Sequence, residues 1–69
     1  MNILELCRFS ELFKEYTINM VKSRLMIERF NYIIQASAIL ETCLDLKLIN
    51  EYEFDHIYAV LNRLYYLNP

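Results

Sequence analysis

The sequence predicts an all-α fold, a small bundle of three helices in one domain that covers residues 1–69. The chain has 69 residues, 57% of them hydrophobic, with no glycine and a single proline, Pro69. Tight β-hairpin turns usually need glycine, so the absence of glycine from this sequence argues against β structure. Apolar residues recur instead at the three- and four-residue steps of amphipathic helices. Both observations favour helices throughout the chain.

The hydrophobic content also predicts self-association. Globular domains are about 45–50% apolar on average, and a domain of about 60 residues buries only about 60% of its unfolded surface. One small core therefore cannot cover all the apolar side chains of this chain. We expect a homo-oligomer, with a dimer favoured, or a permanent partner protein.

The first helix is predicted to begin at Asn2, which forms an Asn-x-x-Glu cap pattern with Glu5. Its apolar seam consists of Leu6, Phe9, Phe13, Tyr16 and Met20. The same spacing continues beyond this seam, so length has to place the end, because one helix as far as Leu46 would span about 70 Å. We predict a break near residues 27–31, between an N-terminal helix (1–29) and a helical hairpin (30–69). A long uninterrupted first helix is the alternative.

The hairpin is predicted to turn just before Asn50, whose side chain forms a reciprocal capping box with Glu53. The second helix, over residues 32–46, precedes this corner, and the third helix follows it. The predicted core of the hairpin consists of Leu40, Leu44, Leu48, Ile49, Phe54, Ile57 and Leu61. Apolar residues on both sides of the corner lie at helical spacing, so the two helices can pack against each other.

Charge is unevenly distributed along the chain. The formal net charge is −2, which does not indicate a general attraction to nucleic acid or to anionic lipid. Residues 1–34 carry five basic and four acidic side chains, whereas residues 35–69 carry two and five. This asymmetry favours head-to-tail or antiparallel packing of two copies, or contact of the C-terminal half with a basic partner surface. A solvated acidic helix start explains it equally well.

No pattern predicts catalysis, a cofactor or a metal site. Glu53 and His56 form one Glu-x-x-His pair, whereas di-iron bundles need two such pairs and two further glutamates. We therefore assign Glu53 to capping and His56 to the surface. Cys7 and Cys43 form neither a C-x-x-C pair nor a Cys/His ligand set, so we expect reduced, non-catalytic thiols. The sequence predicts a protein that is not an enzyme.

The sequence predicts neither a transmembrane helix nor a signal peptide. The longest charge-free run, residues 30–40, is about half of the roughly 20 residues that a transmembrane helix needs. The first residues lack the positive segment and apolar core of a signal peptide. We expect a cytoplasmic protein that does not contact a membrane.

Two groups of side chains are candidates for outward contacts. The residues predicted to bind a partner protein are Tyr58, Arg63, Tyr65 and Tyr66. The residues predicted as a nucleic-acid contact are Lys22, Arg24 and Arg29. Tyrosine combines an apolar ring with a polar tip, which suits a protein interface. The basic group predicts only weak binding, because sequence-specific DNA readers usually carry a stronger basic stripe.

The region from Phe30 to Pro69 resembles small SHOCT-like (short C-terminal domain) helical-hairpin proteins. The resemblance rests on Phe30-Asn31-Tyr32, Ala36, Ile39-Leu40, Leu44, Leu48-Ile49, Glu51-Tyr52-Glu53-Phe54, Ile57, Asn62-Arg63 and Pro69. In that family an aromatic-led helix meets a Gly-Leu-Ile-x-Glu-Glu-Glu-Phe/Tyr corner. Lys47 stands where the family usually has Gly at this corner.

The resemblance implies a hairpin for oligomerisation or partner docking. Such proteins occur in bacterial mobile elements, often encoded beside large serine recombinases. By association, it implies an accessory factor that binds a site-specific serine recombinase and redirects its synapsis, acting in DNA recombination as a regulator without catalysing a reaction. The alternatives are a small dimeric DNA-binding repressor and a phage-type inhibitor of a host protein.

Overall fold

The computed structural model describes the backbone of residues 3–67 and the side chains of residues 8–67. Within that range the chain forms three helices, α1 (Ile3–Lys22), α2 (Met26–Asp45) and α3 (Glu51–Leu67), and no strand. The predicted all-α fold with three helices is therefore confirmed. The predicted cap at Asn2 lies outside the described residues.

The turn between α1 and α2 lies at residues 23–25. Leu25 has an extended backbone (φ −89°, ψ 127°), and its carbonyl accepts the Arg29 N–H at 3.0 Å, which starts α2. The Ser23 hydroxyl donates to Glu28 Oε2 at 2.8 Å and ties the turn to the first turn of α2. The predicted break near residues 27–31 is thus wrong, and so is the alternative of one long helix. Apolar spacing alone did not locate this short turn, because the pattern continues through it.

The corner between α2 and α3 is closed by a Schellman motif. The Leu48 N–H donates to the Cys43 carbonyl at 2.9 Å, and the Lys47 N–H donates to the Leu44 carbonyl at 3.0 Å. Lys47 adopts the left-handed conformation with φ 61°. This geometry usually places glycine at that position. The corner keeps the left-handed backbone although a lysine occupies it.

The start of α3 confirms the predicted capping box. The Asn50 side-chain oxygen accepts the Glu53 N–H at 2.8 Å, and the Glu53 carboxylate accepts the Asn50 N–H at 3.0 Å. Two of the amide groups that lack a partner in a first helical turn are satisfied in this way. Glu51 and Glu53 also place negative charge at the positive end of the helix.

The core is built around one residue from each helix. Met20 of α1, Ala36 of α2 and Leu61 of α3 are at most 1% exposed. The half-buried side chains packed around them are Phe13, Tyr16, Tyr32, Ile33, Leu64 and Tyr65. Because Ala36 has no side chain beyond Cβ, both neighbouring helices can approach α2 closely.

Part of the predicted hairpin core is buried. Leu40, Leu48 and Leu61 are buried as expected. The remaining predicted core residues, Leu44, Ile49, Phe54 and Ile57, are half-buried. They contribute to the packing at its edge.

The molecule is elongated and thin, with Cα extents of 37 × 21 × 13 Å. Helix α1 packs along α2, and α3 packs mainly against α2 rather than α1. Helix α2 is therefore the central element, with one side left open. Among residues 3–67, no helix combines the length and apolar character needed to cross a membrane.

Candidate interaction surface

An apolar strip runs along the open side of α2. Ile27, Phe30 and Ile34 are 71%, 52% and 50% exposed, and Ala38 continues their three- and four-residue spacing. At 3.6 residues per turn these positions lie on the side of α2 opposite buried Ala36. We call these four residues the α2 stripe.

An open groove of about 430 Å³ lies between α2 and α3, beside the α2 stripe. The α2 side consists of Phe30, Ile33, Ile34, Ser37, Ala38 and Glu41, and the α3 side consists of Tyr58, Asn62, Tyr65 and Tyr66. The groove therefore has aromatic walls, small residues on its α2 side and a few polar groups. A helix or an extended aromatic side chain from another molecule fits such a surface.

The aromatic rings of α3 are positioned by one another. Tyr58 stacks on Phe54, with ring centroids 5.6 Å apart and an interplanar angle of 20°. Tyr65 and Tyr66 meet edge to face at 5.0 Å and 87°. Both arrangements are favourable for aromatic pairs. They hold part of the groove wall in place before any partner binds.

The structure assigns Arg29 a role that the sequence did not predict. Arg29 is only 5% exposed, and its guanidinium donates a hydrogen bond to the Tyr65 carbonyl near the C-terminal end of α3. The guanidinium carbon also lies 5.5 Å from the centroid of the Tyr65 ring. A cation at this end of a helix is favourable because the last carbonyl groups carry partial negative charge. Arg29 thus holds α3 against α2 and is not exposed for a phosphate contact, so this part of the nucleic-acid prediction is wrong.

The other two basic candidates remain at the surface. Lys22 and Arg24 are exposed at the turn between α1 and α2, whereas Glu41 and Asp45 are exposed near the far end of α2. Between these ends, residues 30–40 carry no charge. The open side of α2 is thus neutral in the middle. Its start has two exposed basic side chains and exposed Glu28, and its end has two exposed acidic side chains and exposed Lys47, so the two ends differ in the sign of their net charge.

The predicted partner-binding residues differ in exposure. Tyr66 is 80% exposed, Arg63 is exposed, and Tyr58 lies at the edge of the groove. Tyr65 is half-buried and packs against the core cluster. Replacing Tyr65 would therefore alter the fold as well as the surface, so Tyr65 is not a purely outward contact as the sequence predicted.

The reactive side chains of the described region stand apart from the groove. His56 is exposed, and the Glu53 carboxylate is engaged in the capping box. Burial raises the pKa of the Cys43 thiol, which disfavours the reactive thiolate. The Cys7 side chain lies outside the described residues. Among the side chains that the structure describes, no three His, Cys, Asp or Glu groups are placed to hold a metal ion.

A second, smaller cavity of about 140 Å³ lies near the corner. Its lining consists of Phe9, Ser10, Phe13, Ile39, Leu40, Cys43, Ile49 and Ile57. The lining is almost entirely apolar, so the cavity is a packing defect between α1 and the hairpin. The sequence indicated Phe9, Phe13, Leu40, Ile49 and Ile57 as seam or core residues, but it did not indicate that they leave a gap.

Comparison of the chain with protein-family models, with curated proteins and with solved structures finds no match. The SHOCT-like resemblance and the recombinase association therefore remain predictions from the sequence.

Proposed function

We propose that this protein is a non-catalytic helical factor that binds other proteins through the α2 stripe and the adjacent aromatic residues of α3. The observation that carries the proposal is the exposure of Ile27, Phe30 and Ile34 in one row beside an aromatic groove. Soluble proteins rarely expose contiguous apolar patches without an interaction that covers them.

The shape of this face suits a helical partner. A helix that lies between α2 and α3 would bring apolar side chains against Phe30, Ile34 and Tyr58, and the small Ala38 would allow close approach. Burial of apolar surface contributes about 25 cal/mol per Å². The aromatic residues at the edge, with their polar hydroxyls, add orientation.

The most concrete partner is a site-specific serine recombinase of a mobile element. This assignment is supported by the SHOCT-like resemblance, which implies an accessory directionality factor. Such a factor changes which recombination sites are synapsed by binding the recombinase, and it needs no reactive group of its own. A phage-type inhibitor of a host protein would use the same apolar face and differs only in the partner.

Direct DNA binding is the alternative of a different class. Only Lys22 and Arg24 of the predicted basic group are exposed, since Arg29 lies beneath α3. Binding that rests on phosphate contacts weakens steeply as salt rises. A gel shift at low salt that disappears with added salt would favour the repressor over the protein-binding factor.

The proposed function predicts that Tyr66→Ala weakens capture of the partner. Tyr66 is 80% exposed, so its removal leaves the core intact, whereas loss of an aromatic anchor commonly weakens binding by about tenfold or more. The measurement is a titration of each variant against a purified large serine recombinase.

Tyr52→Ala is the matched control, because Tyr52 is 81% exposed on the same helix but lies outside the groove. It should bind as the unaltered protein does. Equal affinity of the two tyrosine variants would overturn the assignment of the groove as the binding surface.

A further inference from the structure

We propose that the α2 stripe is a self-complementary interface through which two copies pair antiparallel about a twofold axis at Ile34. The inference rests on the proposed function, because it names the occupant of part of the same face. The helix that lies against Phe30 and Ile34 is then α2 of the second copy, and the larger partner contacts α3 at Tyr66, which is 80% exposed.

The spacing of large and small side chains supports this register. In an antiparallel pair centred on Ile34, each Ile34 meets its counterpart, and residues four positions before and after the axis face each other. Phe30 of one copy therefore faces Ala38 of the other. A large ring opposite a methyl group lets the two helices approach closely, and the twofold axis produces this match twice.

Charge supports the same arrangement. No charged residue lies between positions 30 and 40, so the centre brings no like charges together. At each end, exposed Glu41 lies opposite Ile27 of the second copy, three residues along the chain from exposed Arg24 in the turn before α2. Exposed Glu28 follows Ile27 but lies about 100° further round the helix, where its carboxylate accepts the Ser23 hydroxyl. In the same register exposed Asp45 lies level with the turn at residues 23–25 of the second copy. A parallel pairing would instead place each Glu41 against its own counterpart, which is unfavourable.

The surface area of the chain fits a dimer of ordinary size. The accessible surface is 5377 Å², against roughly 4600 Å² for a monomeric globular protein of 8.4 kDa. The excess of roughly 750 Å² is close to the 800 Å² or so that each partner buries in a standard interface. The exposed α2 stripe is a place where this excess can be removed.

Mixing two charge-reversed chains tests the antiparallel register. In Arg24→Glu homodimers each acidic end meets a new acid, and in Glu41→Lys homodimers each basic end meets a new base. The dimer dissociation constant of each variant alone should rise by about tenfold, because two attractive contacts become repulsive. An equimolar mixture should restore dimerisation, since both ends of the heterodimer pair opposite charges.

The measurement is sedimentation velocity across a concentration series, with one chain carrying a fluorescent label. Arg63→Glu makes the same charge change as Arg24→Glu away from the α2 stripe, and it should dimerise as the unaltered protein does. Ile34→Glu should be monomeric with unchanged helix content by circular dichroism, because two carboxylates would meet at the axis. Unaltered helix content shows that the variant has folded, since Ile34 is half exposed.

The inference is overturned if the unaltered protein stays monomeric, if Ile34→Glu still dimerises, or if the mixture associates no better than either charge variant alone. These failures differ from failure of the proposed function. A monomer whose capture of the recombinase depends on Tyr66 would remove the dimer and keep the interaction factor. A dimer of the proposed register that captures no recombinase would keep the dimer and remove the interaction with the larger partner.

Discussion

At the scale of single residues, Arg29 shows how position in the fold changes the meaning of a charge. Lys22, Arg24 and Arg29 are close in sequence and were grouped as one basic patch. In the structure only Arg29 is buried, with its guanidinium on the Tyr65 carbonyl and ring. Its long side chain crosses from α2 to α3, whereas Lys22 and Arg24 extend into water from the turn.

Arg29→Ala should therefore lower the free energy of unfolding by about 2 kcal/mol or more, because a charged hydrogen bond and buried packing are lost together. The free energy of unfolding of Arg29→Lys should lie between those of the unaltered protein and Arg29→Ala, since lysine keeps the charge but not the planar group that lies over Tyr65. Urea unfolding followed by circular dichroism measures both. Arg24→Ala, at an exposed site, should change stability by no more than about 0.5 kcal/mol. If Arg24→Ala and Arg29→Ala cost the same, Arg29 does not hold α3 in place.

At the scale of the elements, the two helix boundaries around the corner follow different rules. The capping box at Asn50 and Glu53 uses side chains that identify it in the sequence. The Schellman motif that ends α2 uses backbone groups alone, and Lys47 accepts the left-handed conformation that glycine would adopt more readily. The sequence therefore predicted the end of α2 to within one residue as well as the start of α3, although only the start of α3 has a side-chain signature.

Lys47→Gly should stabilise the protein by about 0.5–1 kcal/mol. A non-glycine residue in the left-handed region costs about 1–2 kcal/mol, and the greater freedom of glycine in the unfolded chain offsets part of this gain. Lys47→Ala also removes the charge but retains Cβ, so it should give no such gain. Thermal unfolding of the three proteins at one concentration separates the effects. A glycine variant no more stable than the alanine variant would show that φ at residue 47 carries no strain.

At the scale of the whole molecule, stability depends on a small core, because few side chains are fully buried. Met20, Ala36 and Leu61 bring the three helices together at one place. Several of the residues expected from sequence to form the hairpin core lie at its edge instead. Elongation and the open side of α2 leave many apolar groups in contact with water.

Leu61→Ala should cost about 2–5 kcal/mol through the cavity that it leaves. A single core in a domain of fewer than about 70–80 residues rarely supplies more than about 3–5 kcal/mol, so this variant is expected to be substantially unfolded near body temperature. Val60→Ala is the control, because Val60 directly precedes Leu61 in α3 and is 44% exposed. It should unfold at nearly the same urea concentration as the unaltered protein. Similar losses for both variants would contradict a core centred on Leu61.

The sequence by itself determined the helical class, the number of helices and the corner at Asn50, because caps and periodicity act between residues that are close along the chain. It also identified Leu40, Leu48 and Leu61 as core residues, since Leu40 and Leu61 lie on the apolar faces of their own helices and Leu48 lies at the corner between them. Only the tertiary structure decided where the first turn falls, which side of α2 stays open, and that Arg29 is buried. These features depend on how α1 and α3 divide the surface of α2, and contacts between distant segments leave no local pattern. The α2 stripe followed from that division, whereas Tyr58, Tyr65 and Tyr66 were already candidates in the sequence and lie in the groove beside the stripe.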